Sequence, residues 1–127
     1  MARVLLVDDD KDIRELFSLE LSEQGHEVIS AASCRDLIKR IEISQAELVV
    51  LGMKRSDRAG MEMLNEIRSY CSDLPVIIWT AYDSYKFPSG TIAADYRVVK
   101  SYDLTKLKTM IQSALEAKDR ILHRVVA

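Results

Sequence analysis

ELVVLGMKRSDRAGMEML, residues 47–64, is the stretch on which the fold turns. Glu47–Leu51 reads as a buried strand, a solid apolar run of the kind found where a sheet is covered on both faces. A loop follows, and Met61, Leu64, Ile67 and Cys71 then recur at helical spacing and predict a helix. Reactive side chains are often displayed where such a strand ends. Here the first residue expected past the strand is Gly52, which has no side chain.

The same alternation extends in both directions. RVLLVD (residues 3–8) is an apolar run ending in acids and predicts a first strand. Asp10 or Asp12 suits the cap of the next helix, with Glu15 three positions after Asp12. Ile13, Leu16 and Phe17 begin its apolar face, and Gly25 stops it. EVISA (27–31) predicts a second strand, and Ser33 is expected to cap a second helix carrying Leu37, Ile38 and Ile41. PVIIWT (75–80) and YRVVK (96–100) predict the fourth and fifth strands. Asp103 is expected to cap a last helix striped by Leu104, Leu107, Ile111, Leu115 and Leu122. AYDSYKFPSGTI (81–92) should hold a fourth helix, but Pro88 and Gly90 interrupt it, so a short or irregular segment is expected.

Strands of this kind alternating with helices mean a five-stranded parallel sheet covered on both sides. Right-handed crossovers make it a doubly wound, flavodoxin-like α/β domain of the (βα)5 type. The length of 127 residues fits one domain. Residues 1–122 are read as that domain, and 123–127 as the end of the last helix leading toward a linker and an output domain.

Hydrophobic residues make up 48% of the chain and charged residues 30%, which excludes a disordered segment. A net charge of −2 gives no support for nucleic-acid binding. Apolar runs are too short to span a membrane and no signal peptide is visible, so a cytoplasmic location is expected. Cys34 and Cys71 lack metal-like spacing and read as small apolar residues.

Ligands of open parallel sheets bind at the carboxyl ends of the strands. The residues expected there are Asp8 and Asp9, Gly52, Thr80 and Lys100. Adjacent carboxylates suit a hard cation such as Mg²⁺, while a hydroxyl and an ammonium suit a phosphoryl oxygen. Each has a plainer reading: an acidic run solvating a helix entrance, a structural threonine, a solvated lysine. Their specificity comes from falling on one sheet edge.

VLLVDDDKDIREL, LVVLGMKRSDRAGMEMLNEIR, LPVIIWTA and ADYRVVKSYDLTKL together resemble the receiver domain of bacterial two-component response regulators, from Arg3 to about Leu122. The resemblance implies an acidic pair for Mg²⁺ at Asp8 and Asp9 and phosphoryl contacts at Thr80 and Lys100. It also implies a phosphoacceptor aspartate at the position held here by Gly52, a register fixed by Gly60, the glycine usual before the third helix. Arg55-Ser56 stands where Met-Pro is usual, Ala59 where Asp or Asn is common, and Ser101 where a cis-proline is common. Arg97, beside Tyr96, stands at the position of the switch aromatic.

These departures lead to the expectation of an atypical, non-enzymatic receiver, a phosphorylation-independent signalling module within the phosphorelay class. It requires no cofactor and retains at most weak Mg²⁺ binding, with Lys100, Lys54 or Arg55 as resident cations. Restoring an aspartate at position 52 is expected to strengthen that binding. The expected partner is a protein or a covalently attached output domain, with no membrane and no direct nucleic-acid contact. A homodimer through the face of the fourth helix, fifth strand and fifth helix is a further option, using Arg97, Tyr82, Tyr85, Phe87 and Tyr102. Two alternatives stand beside this reading. LLVDDDKDI loosely matches haloacid-dehalogenase-like phosphatases, with Asp8 as nucleophile and Asp10 as acid/base. A receiver phosphorylated elsewhere, for instance on Asp57, is the other.

Overall fold

The computed structural model describes residues 2–53, 58–80, 96–99 and 103–126. In chain order the elements are β1 (Arg3–Val7), α1 (Lys11–Glu23), β2 (Glu27–Ala31), α2 (Leu37–Ser44), β3 (Leu48–Met53), α3 (Arg58–Tyr70), β4 (Val76–Thr80), β5 (Tyr96–Val99) and α4 (Thr105–Val126). The helix counted as fifth from the sequence is therefore α4. The segment expected to hold a short or irregular helix, 81–92, lies outside the described residues. The five strands form one parallel sheet in the order β2-β1-β3-β4-β5.

Alternation along the strands splits the core in two. Val4 and Leu6, Leu48 and Val50, and Ile77 and Trp79 pack with Ile13, Phe17 and Leu21 of α1 and Leu107, Ile111 and Ala114 of α4. Leu5 and Val7, Val49 and Leu51, and Val76 and Ile78 pack with Leu37 and Ile41 of α2 and Leu64 and Ile67 of α3. Helices thus cover both faces, which is why these strands read as solid apolar runs. Each fully buried Leu, Ile or Val contributes about 1.5–3 kcal/mol.

Local chemistry sets the helix ends. Asp10 is the N-cap of α1, its Oδ1 accepting from the amides of Asp12 (2.9 Å) and Ile13 (3.3 Å). After Gln24, Gly25 takes φ 91°, and the amides of Gly25 and His26 donate to Ser22 and Leu21 carbonyls. This left-handed stop suits glycine. Asp103, expected as the cap of α4, lies one residue ahead of the cap position, which Leu104 holds. Its Oδ1 accepts from the amide (3.0 Å) and hydroxyl (2.6 Å) of Thr105 in an Asx-type turn, and those bonds hold its carboxyl below the usual aspartate range.

Three boundaries differ from the sequence expectation. Helix α2 starts at Leu37 and is not capped by Ser33. The Ser33 hydroxyl instead accepts from the Arg35 amide, and Asp36 then sits at φ 54°. A local side-chain turn of this type competes with helix, so only eight helical residues follow. Helix α3 begins at Arg58, which puts Gly60 inside its first turn rather than ahead of it. Strand β3 continues to Met53, so Gly52 lies within the strand rather than past it, because β4 carries on pairing with it there.

At the amino edge of the sheet, Arg3 joins three elements. Its guanidinium reaches Glu27 of β2 (3.1 Å) and Gln45 after α2 (3.2 Å), while its amide donates to Glu47. Beside it the Ala2 amide donates to His26 Nδ1 (3.1 Å). Burial lowers the His26 pKa from 6.5, the positive amino terminus lowers it further, and Glu47 opposes both. The native state therefore favours neutral imidazole, and below about pH 6.5 the unfolded chain binds the proton first. Acidification from pH 7.5 toward 5.5 is expected to lower the melting temperature more for the parent than for His26→Asn, whose side-chain oxygen keeps the acceptor. Parallel pH profiles of the two proteins would refute this.

Candidate functional site

Strand order reverses between β1 and β3, and at such a switch point an open α/β sheet holds its ligands beyond the carboxyl ends of the strands. The described residues at this edge are Asp8 and Asp9 after β1, Gly52 near the end of β3, and Thr80 ending β4. The topology brings these four residues to one edge. Lys100 follows β5 directly but lies outside the described residues, as do Tyr82, Tyr85, Phe87 and Tyr102 from the expected interface and Lys54, Arg55 and Asp57 on the loop. Arg97 is opposite Ile78 in the β4–β5 ladder, and its side chain lies outside them too.

The two adjacent acids are not equivalent. Asp8 is buried, at 2% exposure, whereas Asp9 is exposed. The pleat of β1 runs one residue past its end: Val4 and Leu6 face α1, and Asp8 follows them on the same side. Asp8 is held at several points. Its amide donates to the Ala31 carbonyl (3.0 Å), extending the β1–β2 ladder by one bond. Its Oδ1 accepts the Asp10 amide (2.9 Å). Its carbonyl accepts from Arg14 Nη1 (2.8 Å).

Arg14 is the residue that sequence reasoning missed. It sits one turn into α1, its amide bonded to the Asp10 carbonyl. That places a half-buried guanidinium at the base of the acidic edge. An arginine four residues after the N-cap was the available signal, since that spacing returns a helix to the same face.

Gly52 pairs in register with Trp79 of β4, and Met53 with Thr80. A Cβ built on Gly52 would lie 2.6 Å from Asp8 Oδ2, 2.8 Å from the Val7 carbonyl oxygen and 3.1 Å from Asp8 Cγ. Real Cβ contacts essentially never fall below 3.0 Å. Here a glycine permits close approach of a neighbouring strand. Thr80 is buried at 2% exposure.

The Mg²⁺ seat that the resemblance implies needs a third carboxylate at position 52, and the residues present do not supply it. Asp8 has one oxygen on the Asp10 amide and the other turned toward Gly52. Among the described residues no group of three or more His, Cys, Asp or Glu is placed to hold a metal ion. Asp10, the acid/base of the phosphatase alternative, is engaged as the α1 cap.

Among the described residues no helix is long and apolar enough to cross a membrane. Curated relatives include the regulatory protein AtoC of Escherichia coli K12, 29% identical over 98% of this chain and 29% of its own length. The response regulator MprA of Mycolicibacterium vanbaalenii is 35% identical over 89% of this chain and 50% of its own. The chain thus spans half or less of these relatives. Among solved structures, the response regulator TrrA of Thermotoga maritima, in complex with Mg²⁺ and BeF, superposes with a TM-score of 0.80 at 35% identity, covering 90% of this chain and 99% of that one. The family described as the response regulator receiver domain matches residues 4–112. With that span and this strand order, the chain belongs to the response regulator receiver domain family.

Proposed function

We propose that this domain is a receiver that signals without aspartyl phosphorylation, by presenting a surface to a protein partner or to an attached output domain. The observation that carries this reading is Gly52 at the carboxyl end of β3, with the Asp8 carboxylate packed against it. Glycine offers neither a nucleophile nor a metal ligand. The acidic pair then binds Mg²⁺ weakly, and the module needs no cofactor and catalyses no reaction.

Partners of two kinds are supported by the relatives. AtoC is much longer than this chain, which fits a receiver attached to an output domain. TrrA has been solved in complex with the histidine kinase ThkA, which fits recognition of a kinase-like protein. The contact face assigned from sequence, Arg97 with Tyr82, Tyr85, Phe87 and Tyr102, stays part of this reading, as does the homodimer option.

The test is direct. Incubation with acetyl phosphate and Mg²⁺, followed by intact-mass measurement, is expected to leave the mass unchanged. Gain of one phosphoryl group, mapped to any aspartate, would overturn the proposal.

A further inference from the structure

We infer that Asp8 occupies the place of the position-52 side chain, so that glycine at 52 is required by the packing of the site and is not merely a lost acceptor. This rests on the phosphorylation-independent reading and extends it: the carboxyl edge is closed by a carboxylate that arrives from the neighbouring strand.

The geometry supplies the argument. Leu48 and Val50 point to the α1–α4 face, and by the period of two a side chain at 52 would emerge on that face as well. Asp8 emerges there from β1, and its Oδ2 stands 2.6 Å from where the Cβ would be. A clash with the tip of a flexible side chain is cheap when the tip can swing away. The Asp8 tip is restrained, because Oδ1 accepts the Asp10 amide, and Asp10 in turn caps α1. Asp8's main chain is fixed on both sides, by Ala31 at its amide and by Arg14 at its carbonyl. The second-closest atom, the Val7 carbonyl oxygen, is backbone within the sheet and has still less freedom.

Positions 8 and 52 are therefore coupled. Any side chain at 52 must push the end of β1 outward, which strains the start of α1 through the Asp8–Asp10 bond. In an open receiver pocket the two positions would accept substitutions independently.

A thermal-melting cycle of the parent, Asp8→Ala, Gly52→Ala and the double variant, followed by far-ultraviolet circular dichroism, tests this coupling. Gly52→Ala is expected to lower the melting temperature of the parent by roughly 10 °C, and that of Asp8→Ala by about half as much, since two of the three closest atoms belong to the Asp8 carboxylate. If Gly52→Ala alone fails to fold, recovery of a cooperative melt in the double variant supports the inference equally. The inference is overturned if Gly52→Ala melts within about 2 °C of the parent. It is also overturned if the loss is as large in the Asp8→Ala background, including the case where neither alanine-52 protein folds. The phosphorylation-independent reading fails separately, through a mass gain in the parent protein, and leaves the cycle readable.

Discussion

Replacing Trp79 with alanine is expected to destabilise the domain by about 3–5 kcal/mol, the range for truncating a large buried aromatic. Trp79 is the single tryptophan and is 1% exposed. Its ring lies 5.9 Å from that of Phe17, centroid to centroid, at 42° between planes, within the range of favourable aromatic pairs. It links β4 to α1 in the cluster that also holds α4. Domains of this size have total stabilities of roughly 5–15 kcal/mol, so the loss is a large share of the whole. The site should be affected too, since Trp79 is the register partner of Gly52 and α1 carries both the Asp10 cap and Arg14. Urea denaturation followed by circular dichroism measures the effect, because the variant lacks the fluorophore. Trp79→Phe keeps an aromatic ring against Phe17 and is expected to lose less than half as much. A midpoint for Trp79→Ala close to the parent's would show that the β4–α1 contact contributes little.

Much of this fold is legible from residues alone, for a physical reason. Val, Ile and Leu runs such as LLV and VVL have only one stable setting in a small α/β domain, between two layers of helices. Helical stripes such as Leu104, Leu107 and Ile111 need one apolar face, and these three are buried. Capping and turn chemistry is local, which is why Gly25 marks the end of α1 and Asp103 falls within two residues of the start of α4. The start of α2 was less legible, because Ser33 serves a helix cap or a tight turn equally well, and tertiary placement of Leu37 decides between them.

The site was legible as a set of positions but not as a geometry. Asp8, Gly52 and Thr80 reach one edge because they lie at the carboxyl ends of neighbouring parallel strands, and strand ends are easy to find in sequence. The difference between Asp8 and Asp9 comes from the pleat of β1 continuing past its last paired residue, and an acidic run hides that parity. The space around Gly52 depends on how closely β1 approaches β3. Sequence records the missing side chain but not what fills its place. From sequence β3 ends one residue short of Gly52 for a related reason: glycine is a poor strand former, yet the pairing with Trp79 and Thr80 carries β3 on to Met53.

Restoring the acceptor should fail for the same reason. From sequence, an aspartate at 52 is expected to strengthen Mg²⁺ binding; the packing of Asp8 against Gly52 leads to the opposite prediction. The Gly52→Asp Cβ meets Asp8 Oδ2 and the Val7 carbonyl at distances that real side chains do not adopt. Overpacking of this sort typically costs about 1–3 kcal/mol. A second carboxylate beside buried Asp8 adds like-charge repulsion, worth roughly 4 kcal/mol gross at 4 Å in an effective dielectric near 20, before solvent and movement relieve it. The two effects compound, because relieving the repulsion means moving a carboxylate that the Asp10 amide holds. Gly52→Asp is therefore expected to be destabilised by more than Gly52→Ala, with a melting temperature lower by a further 5 °C or so. It should also gain no phosphoryl group from acetyl phosphate and show no stabilisation by Mg²⁺ with beryllofluoride. An open pocket predicts the opposite on each count: a stable Gly52→Asp protein, a mass increase with the phosphodonor, and a rise in melting temperature with the phosphate mimic. Thermal melts and intact-mass spectra of this one variant separate the two, and a stable, phosphorylated Gly52→Asp would show that the site had lost its acceptor without closing over it.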